Sequence, residues 1–112
     1  MKRRVFISSE DPRLNFAPAL KFGDELIGVF PPGQVHLHPQ HALMQAHKTL
    51  SAMRPDDYLV LSGDPVKIAI CVTVAAWMHF KVRMLRWDRQ TASYVEVAVD
   101  FREMKDLLPT ID

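Results

Sequence analysis

The segment DYLVLSGDPVKIAICVTVAAW, residues 57–77, constrains the fold more than any other part of the chain. Its YLVL run, residues 58–61, is continuously apolar rather than alternating, which is typical of a strand covered on both faces. The run therefore predicts a strand at the centre of a sheet. After it, Asp64 can cap a helix, and Pro65 suits the first turn because its missing N–H would have no intrahelical partner there. A helix from Pro65 to about His79 is expected.

Patterns on either side of this unit predict four more strands and one more helix. Short β-prone runs lie at residues 4–8 and 25–30, and the second is closed by two prolines. The stretch between the runs is interrupted by prolines and is predicted to be mostly loop. Between Pro39 and Pro55, helical spacing predicts a one-faced helix of about three turns. The residues at that spacing are Leu43, Met44, His47 and Leu50. KVRMLRW and YVEVAVDF, separated by a polar stretch, predict a β-hairpin.

The order β-β-α-β-α-β-β predicts one α/β domain over residues 1–112. We expect a small, mostly parallel, Rossmann-like or flavodoxin-like sheet with an antiparallel C-terminal hairpin and two main helices. A net charge of +1 provides no global attraction for nucleic acid, so any such site must be a local patch.

The N-terminus and the cysteine content predict a cytoplasmic protein. The N-terminal apolar run, residues 5–7, is too short for the core of a signal peptide. The longest apolar run, residues 68–78, spans about 16 Å as a helix against about 30 Å of bilayer hydrocarbon. No membrane contact is predicted. The single cysteine, Cys71, lies in apolar surroundings that raise a thiol pKa, which is unfavourable for a nucleophile.

Three segments resemble a group of small uncharacterised proteins of tailed bacteriophages. They are NFAPALKFGDELIGVFPPG, DDYLVLSGDPVKIAI and VRMLRWDRQTASYVEVAVDF, so the resemblance covers most of the chain after about residue 10. The combination of SGDP at residues 62–65 with LRWDR at residues 85–89 is its most specific part. It implies a phage origin and expression in the host cell cytoplasm, and it implies no activity. Cys71, Trp77 and Met78 replace smaller residues of the group's helix, which points to a specialised contact there.

The corner between the central strand and its helix is a candidate ligand site. Ser62, Gly63 and Asp64 follow the carboxyl end of a strand, where doubly wound sheets bind ligands and where a helix start attracts anions. Asp11 is expected at the same edge, after the first strand. Against an anion site, the Asp64 carboxylate would occupy the anion position, and the corner has one glycine where phosphate-binding loops have several. A plain turn and helix cap is the alternative.

Four histidines form a candidate metal set with the spacing H-x-H-x2-H-x5-H. They are His36, His38, His41 and His47. No cysteine and no carboxylate lies between Glu25 and Asp56 to complete or orient a zinc site. We interpret the histidines as a solvated loop and helix face, and we predict no metal and no cofactor.

A basic and aromatic stripe on the first hairpin strand is a candidate nucleic-acid or partner face. It consists of Lys81, Arg83, Arg86, Trp87 and Arg89. Basic side chains beside an aromatic ring are the groups that bind single-stranded nucleic acid. Alternatively, the arginines pair with acidic residues across the hairpin, or the stripe binds a protein.

The helix after Asp64 has more apolar surface than one sheet face can cover. From residue 66 to residue 78 only Lys67 and Thr73 are polar, and they lie about 120° apart around the axis. The surplus residues are Val72, Ala76 and Met78. We expect a homodimer in which this helix or the hairpin packs against its mate, because large apolar patches are rare on monomers. The alternative cover is the N-terminal loop, with Leu14, Phe16, Leu20 and Phe22.

These observations together predict a non-catalytic phage accessory protein that acts by protein–protein interaction, with a host or phage protein as its partner. A nucleic-acid-binding module that uses the hairpin stripe is the alternative. A small-ligand or phosphate-handling enzyme at the strand–helix corner is a third hypothesis.

Overall fold

The computed structural model describes residues 3–33 and 39–106 of the 112-residue chain. Five strands and two α-helices follow one another along it: β1 (Arg4–Ser9), β2 (Glu25–Phe30), α1 (Pro39–Leu50), β3 (Tyr58–Val60), α2 (Pro65–His79), β4 (Lys81–Asp88) and β5 (Ser93–Asp100). Short 3-10 helices at Ala17–Lys21 and Phe101–Asp106 follow β1 and β5. The first of these lies in the segment predicted as loop.

The five strands form one sheet in the order β2-β1-β3-β4-β5. The pairs among β1 to β4 are parallel, and β4 and β5 form an antiparallel hairpin. This confirms the predicted fold class and the central position of β3. The order is that of flavodoxin-like sheets, in which β2 is added on one side of β1 and the later strands on the other side, and ligands bind beside this switch between β1 and β3.

The two faces of the sheet carry separate cores. Both α-helices lie on one face, where Phe6, Leu59 and Val82 pack against residues such as Leu50 and Cys71. The segment between β1 and β2 covers the other face, where the partly buried rings of Phe16 and Phe22 pack over side chains that include Val5, Tyr58 and Leu85. The two connections are expected on opposite faces of the sheet. The chain moves outward from β1 to β2 and back across the sheet from β2 to β3, and right-handed crossovers in opposite directions lie on opposite faces.

The boundaries of α2 agree with the prediction. Asp64 accepts a hydrogen bond from the Val66 N–H at 3.0 Å, and Pro65 occupies the first turn. Phe80 ends the helix in the left-handed conformation, where glycine is more usual.

The residues at helical spacing on α1 do not all lie on its buried face. Leu50 is buried, but its buried companions are Ala42 and Ala46, whereas Leu43 and Met44 are exposed. The small alanine side chains allow α1 to pack closely against the sheet and α2, and this contact turns the larger side chains outward.

Candidate functional site

The predicted corner residues lie together at the carboxyl edge of the sheet, between β1 and β3. A groove of about 580 Å³ there is lined by Glu10, Asp11, Gly63 and Asp64, among others. Ser62 is buried, so its hydroxyl is not a wall of this groove. Of the four predicted corner residues, Asp11, Gly63 and Asp64 therefore lie around one groove and Ser62 does not.

Ser62 is held by hydrogen bonds to β1. Its hydroxyl donates to the Ser9 carbonyl at 2.7 Å, and its N–H donates to Ser8 Oγ at 2.8 Å. Ser8 Oγ in turn donates to the Ser62 carbonyl at 2.7 Å. These bonds join the ends of β1 and β3, and they use the hydroxyls that a ligand would otherwise contact.

Lys67 is the corner residue that sequence reasoning missed. Its side chain is 4% exposed, and Nζ donates to the Pro31 carbonyl at 2.6 Å and to Ser9 Oγ at 3.4 Å. The ammonium also lies 5.6 Å from the centre of the Phe30 ring. A lone lysine one turn into an apolar helix was the available signal. Its position shows that it joins α2 to the end of β2 instead of pointing into solvent.

Two of the carboxylates at the groove, those of Asp11 and Asp64, are also hydrogen-bonded. The Asp11 carboxylate accepts hydrogen bonds from the Arg13 guanidinium at 3.0 and 3.1 Å, and these bonds lower the pKa of Asp11 below its usual value. Asp64 is occupied as the cap of α2. Asp11 and Asp64 thus already have protein donors, and they lie where an anion-binding loop would present free N–H groups.

The hairpin stripe is divided between the two faces of the sheet. Lys81, Arg83 and Trp87 share the face opposite the helices, Arg86 lies on the helix face, and Arg89 lies in the turn. Arg83 pairs with Glu96 at 3.1 Å and stacks 4.3 Å from the Tyr58 ring centre. The Trp87 and Tyr94 rings meet edge to face at 5.0 Å. The structure does not bring the five residues together, and it shows the cross-hairpin pairing that was the alternative for Arg83.

A larger apolar groove lies between the outward sides of α1 and α2. Its volume is about 850 Å³. We call five of the exposed residues that line it the α1–α2 apolar surface: Leu43, Met44, His47, Thr73 and Trp77. Trp77 is 83% exposed and Met44 is 68% exposed. These are large apolar side chains in contact with water at the same groove.

The surplus apolar residues of α2 are not the ones expected from the sequence. Val72, Ala76 and Met78 are half-buried and pack against the helical core, partly because α1 lies beside α2. The exposed residues of α2 include Val66 and Trp77. The N-terminal loop does not cover them, because Phe16 and Phe22 pack on the opposite face of the sheet.

Other predicted features have these positions. His36 and His38 lie outside the described residues, and His41 and His47 are exposed on α1. Within residues 3–33 and 39–106, no three His, Cys, Asp or Glu side chains are grouped as metal ligands.

In the same residues, no helix is both long and apolar enough to cross a bilayer. Burial raises the pKa of Cys71 to about 12, as its surroundings predicted.

Comparison with known proteins identifies the family of the chain. No curated protein and no solved structure matches it. The model of one family, described as phage Pam3 gp32-like protein, matches residues 3–101, which include all five strands and both α-helices. The chain belongs to the phage Pam3 gp32-like protein family.

Proposed function

We propose that this phage protein acts without catalysis, by binding another protein through the α1–α2 apolar surface. The exposure of Trp77 and Met44 at one groove is the observation that carries the proposal. Aromatic residues and methionine are enriched in protein interfaces, and tryptophan is frequent among the residues that dominate binding energy. Their exposure leaves apolar area that a partner can remove from water.

The charges around this surface favour an acidic partner. Neither α1 nor α2 contains an aspartate or a glutamate, and His47 and Lys48 stand at the groove. The matching partner is an amphipathic helix of a host or phage protein, with an apolar stripe flanked by carboxylates. A second copy of this chain is a poorer match, because two-fold pairing here would place equal basic rims against each other.

A pull-down from host lysate with matched variants tests this function. Trp77→Ala with Met44→Ala removes the centre of the surface, and Leu20→Ala removes an exposed leucine on the opposite side of the sheet. We expect one protein to be retained by the wild type and by Leu20→Ala and to be lost from the double variant. Retention by the double variant contradicts the proposal.

The acidic character of the partner is tested separately with Lys48→Glu. Reversing this charge should weaken retention of the same protein several-fold, and raising the salt concentration should reduce the difference between the two forms. If Lys48→Glu binds as well as the wild type, the hypothesis of an acidic partner is rejected, and the proposed apolar contact is unaffected by this result.

Nuclease treatment of the lysate distinguishes the nucleic-acid alternative. Capture through the helices should be unaffected by nuclease, whereas capture through bound DNA or RNA should disappear and should fall steeply with salt. A gel-shift assay with single-stranded DNA or RNA at low salt tests the same alternative directly. If the wild type does not bind, the nucleic-acid hypothesis is rejected. The variant Arg83→Glu with Arg86→Glu is needed only if the wild type binds.

A further inference from the structure

In the described part of the chain, β5 is an edge strand of the sheet. Within the described residues β4 is its only sheet neighbour, and the eight residues of β5 pair with β4 in unbroken register, without a bulge. β5 contains neither proline nor lysine, the residues that commonly prevent edges from pairing. The other edge strand, β2, is shorter, contains Gly28 and is followed by two prolines.

The side chains of β5 form an apolar row on the helix face of the sheet. Val95, Val97 and Val99 lie opposite Arg86, Met84 and Val82 of β4, and Val82 belongs to the helical core. Val95 and Val97 remain 36% and 38% exposed. A further strand beside β5 would cover these valines and pair the outward backbone groups.

From these features we propose that β5 pairs antiparallel with β5 of a second copy, around a two-fold axis at Val97. If the two-fold axis is perpendicular to the sheet, the helix face of one copy continues into the helix face of the other. Directly opposed residues then point to the same face, so the axis must lie where one residue is opposite the same residue of the second copy. Only axes at Glu96 and at Val97 allow seven pairs between the two eight-residue strands. An axis at Glu96 would place two carboxylates directly opposite each other, which is destabilising.

The axis at Val97 gives each charge a compatible neighbour. Glu96 lies opposite Ala98 of the second copy, and Val95 lies opposite Val99, so that six valines form one continuous row. Glu96 is already paired with Arg83 of its own chain, and Asp100 with Arg102 at 2.6 Å. This interface has no residue in common with the α1–α2 apolar surface.

Disulfide cross-linking tests the register. Cys71 is the only cysteine and is buried with a raised pKa, so an introduced cysteine is the reactive one. Two cysteines at position 97 would be directly opposite, with Cα atoms about 4.5–5.5 Å apart, within disulfide range. Two cysteines at position 98 would be diagonal neighbours about 7–8 Å apart. We expect Val97→Cys to cross-link at least tenfold more than Ala98→Cys under mild oxidation. Equal cross-linking, or none, overturns the proposal.

Light scattering at micromolar concentration tests the interface without a cysteine. We expect the mass of two chains for the wild type and for Trp77→Ala, and the mass of one chain for Val97→Lys, which places a charge in the row of valines. Circular dichroism checks that Val97→Lys is folded. If Val97→Lys does not fold, the milder variant Val97→Thr takes its place, and we expect it to lower the affinity of the dimer. A wild-type mass of one chain, or a dimer lost in Trp77→Ala, contradicts pairing through β5.

Discussion

The corner at the start of α2 and the outward side of the same helix differ in how their side chains are satisfied. At the corner, Asp64, Lys67 and the neighbouring serines have hydrogen-bond partners within the chain. On the outward side, Trp77 exposes 83% of its surface to water. The general rule for doubly wound sheets points to the corner as the ligand site. The comparison teaches that Asp64, Lys67 and the serines at the corner hold strands and helix together, whereas the large exposed apolar side chain lies on the outward side of α2.

If the corner is structural, changes there should alter stability and leave binding intact, whereas changes on the outward side should do the reverse. Gly63→Ala should have the largest effect on stability. Gly63 has a φ of 86°, and a Cβ at this position would lie 2.4 Å from Ser9 Cβ. We expect a loss of about 3 kcal/mol in the free energy of unfolding, measured with urea.

The Ser9→Gly background separates the two causes of that loss. It removes the Ser9 side chain that the new methyl group would meet, so the additional cost of Gly63→Ala should fall to about 1 kcal/mol from the left-handed backbone. A cost that is the same in both backgrounds means that the contact with Ser9 contributes little.

Lys67→Ala should have the next largest effect. It removes a charged hydrogen bond to the Pro31 carbonyl and the buried stem of the lysine, and we expect a loss of about 2 kcal/mol. Lys67→Met keeps most of the stem and should recover part of the loss. Capture of the partner should be unchanged for each folded variant. Lost capture with unchanged melting would instead make the corner a binding site.

Asp64→Ala removes the cap of α2 and should cost about 1 kcal/mol in thermal or urea unfolding. Asp64→Asn is the matched control, because an asparagine caps a helix nearly as well as an aspartate. An effect on capture that exceeds the effect on melting would favour a ligand site at the corner.

Trp77→Ala should have the smallest effect on stability, below about 0.5 kcal/mol, because the side chain is largely exposed. Its effect on capture of the partner should be the largest of the four. A substantial loss of stability would show that Trp77 supports the helical core, and the contrast between the two regions would then fail.

Features set by local chemistry were predictable from the sequence, and features set by long-range packing were not. The start of α2 follows from adjacent residues, Asp64 and Pro65, and the continuous apolar run of β3 reports burial on both faces. The exposed side of α1 depends on how Ala42 and Ala46 meet α2, which periodicity cannot show. Leu43 and Met44, which spacing groups with the buried Leu50, are exposed for this reason.

Lys67 illustrates the same limit at the candidate site. Its position on the helix was readable, but its acceptor belongs to Pro31, 36 residues earlier in the chain. The division of the basic stripe was readable in principle, because neighbouring residues of a strand face opposite sides. Arg86 and Trp87 are adjacent, and the structure places them on opposite faces.

The position of β1 between β2 and β3 bears on how fast the molecule folds. The β4–β5 hairpin joins neighbouring segments and can close within about 1–10 μs, whereas β1 meets β3 only after a long loop closes. Arg4 of β1 and Asp57 beside β3 are hydrogen-bonded across 53 residues. We therefore expect an early state in which the hairpin is formed while the inner edge of β4 is still open. Such a state is prone to aggregate, so refolding yield should fall as chain concentration rises.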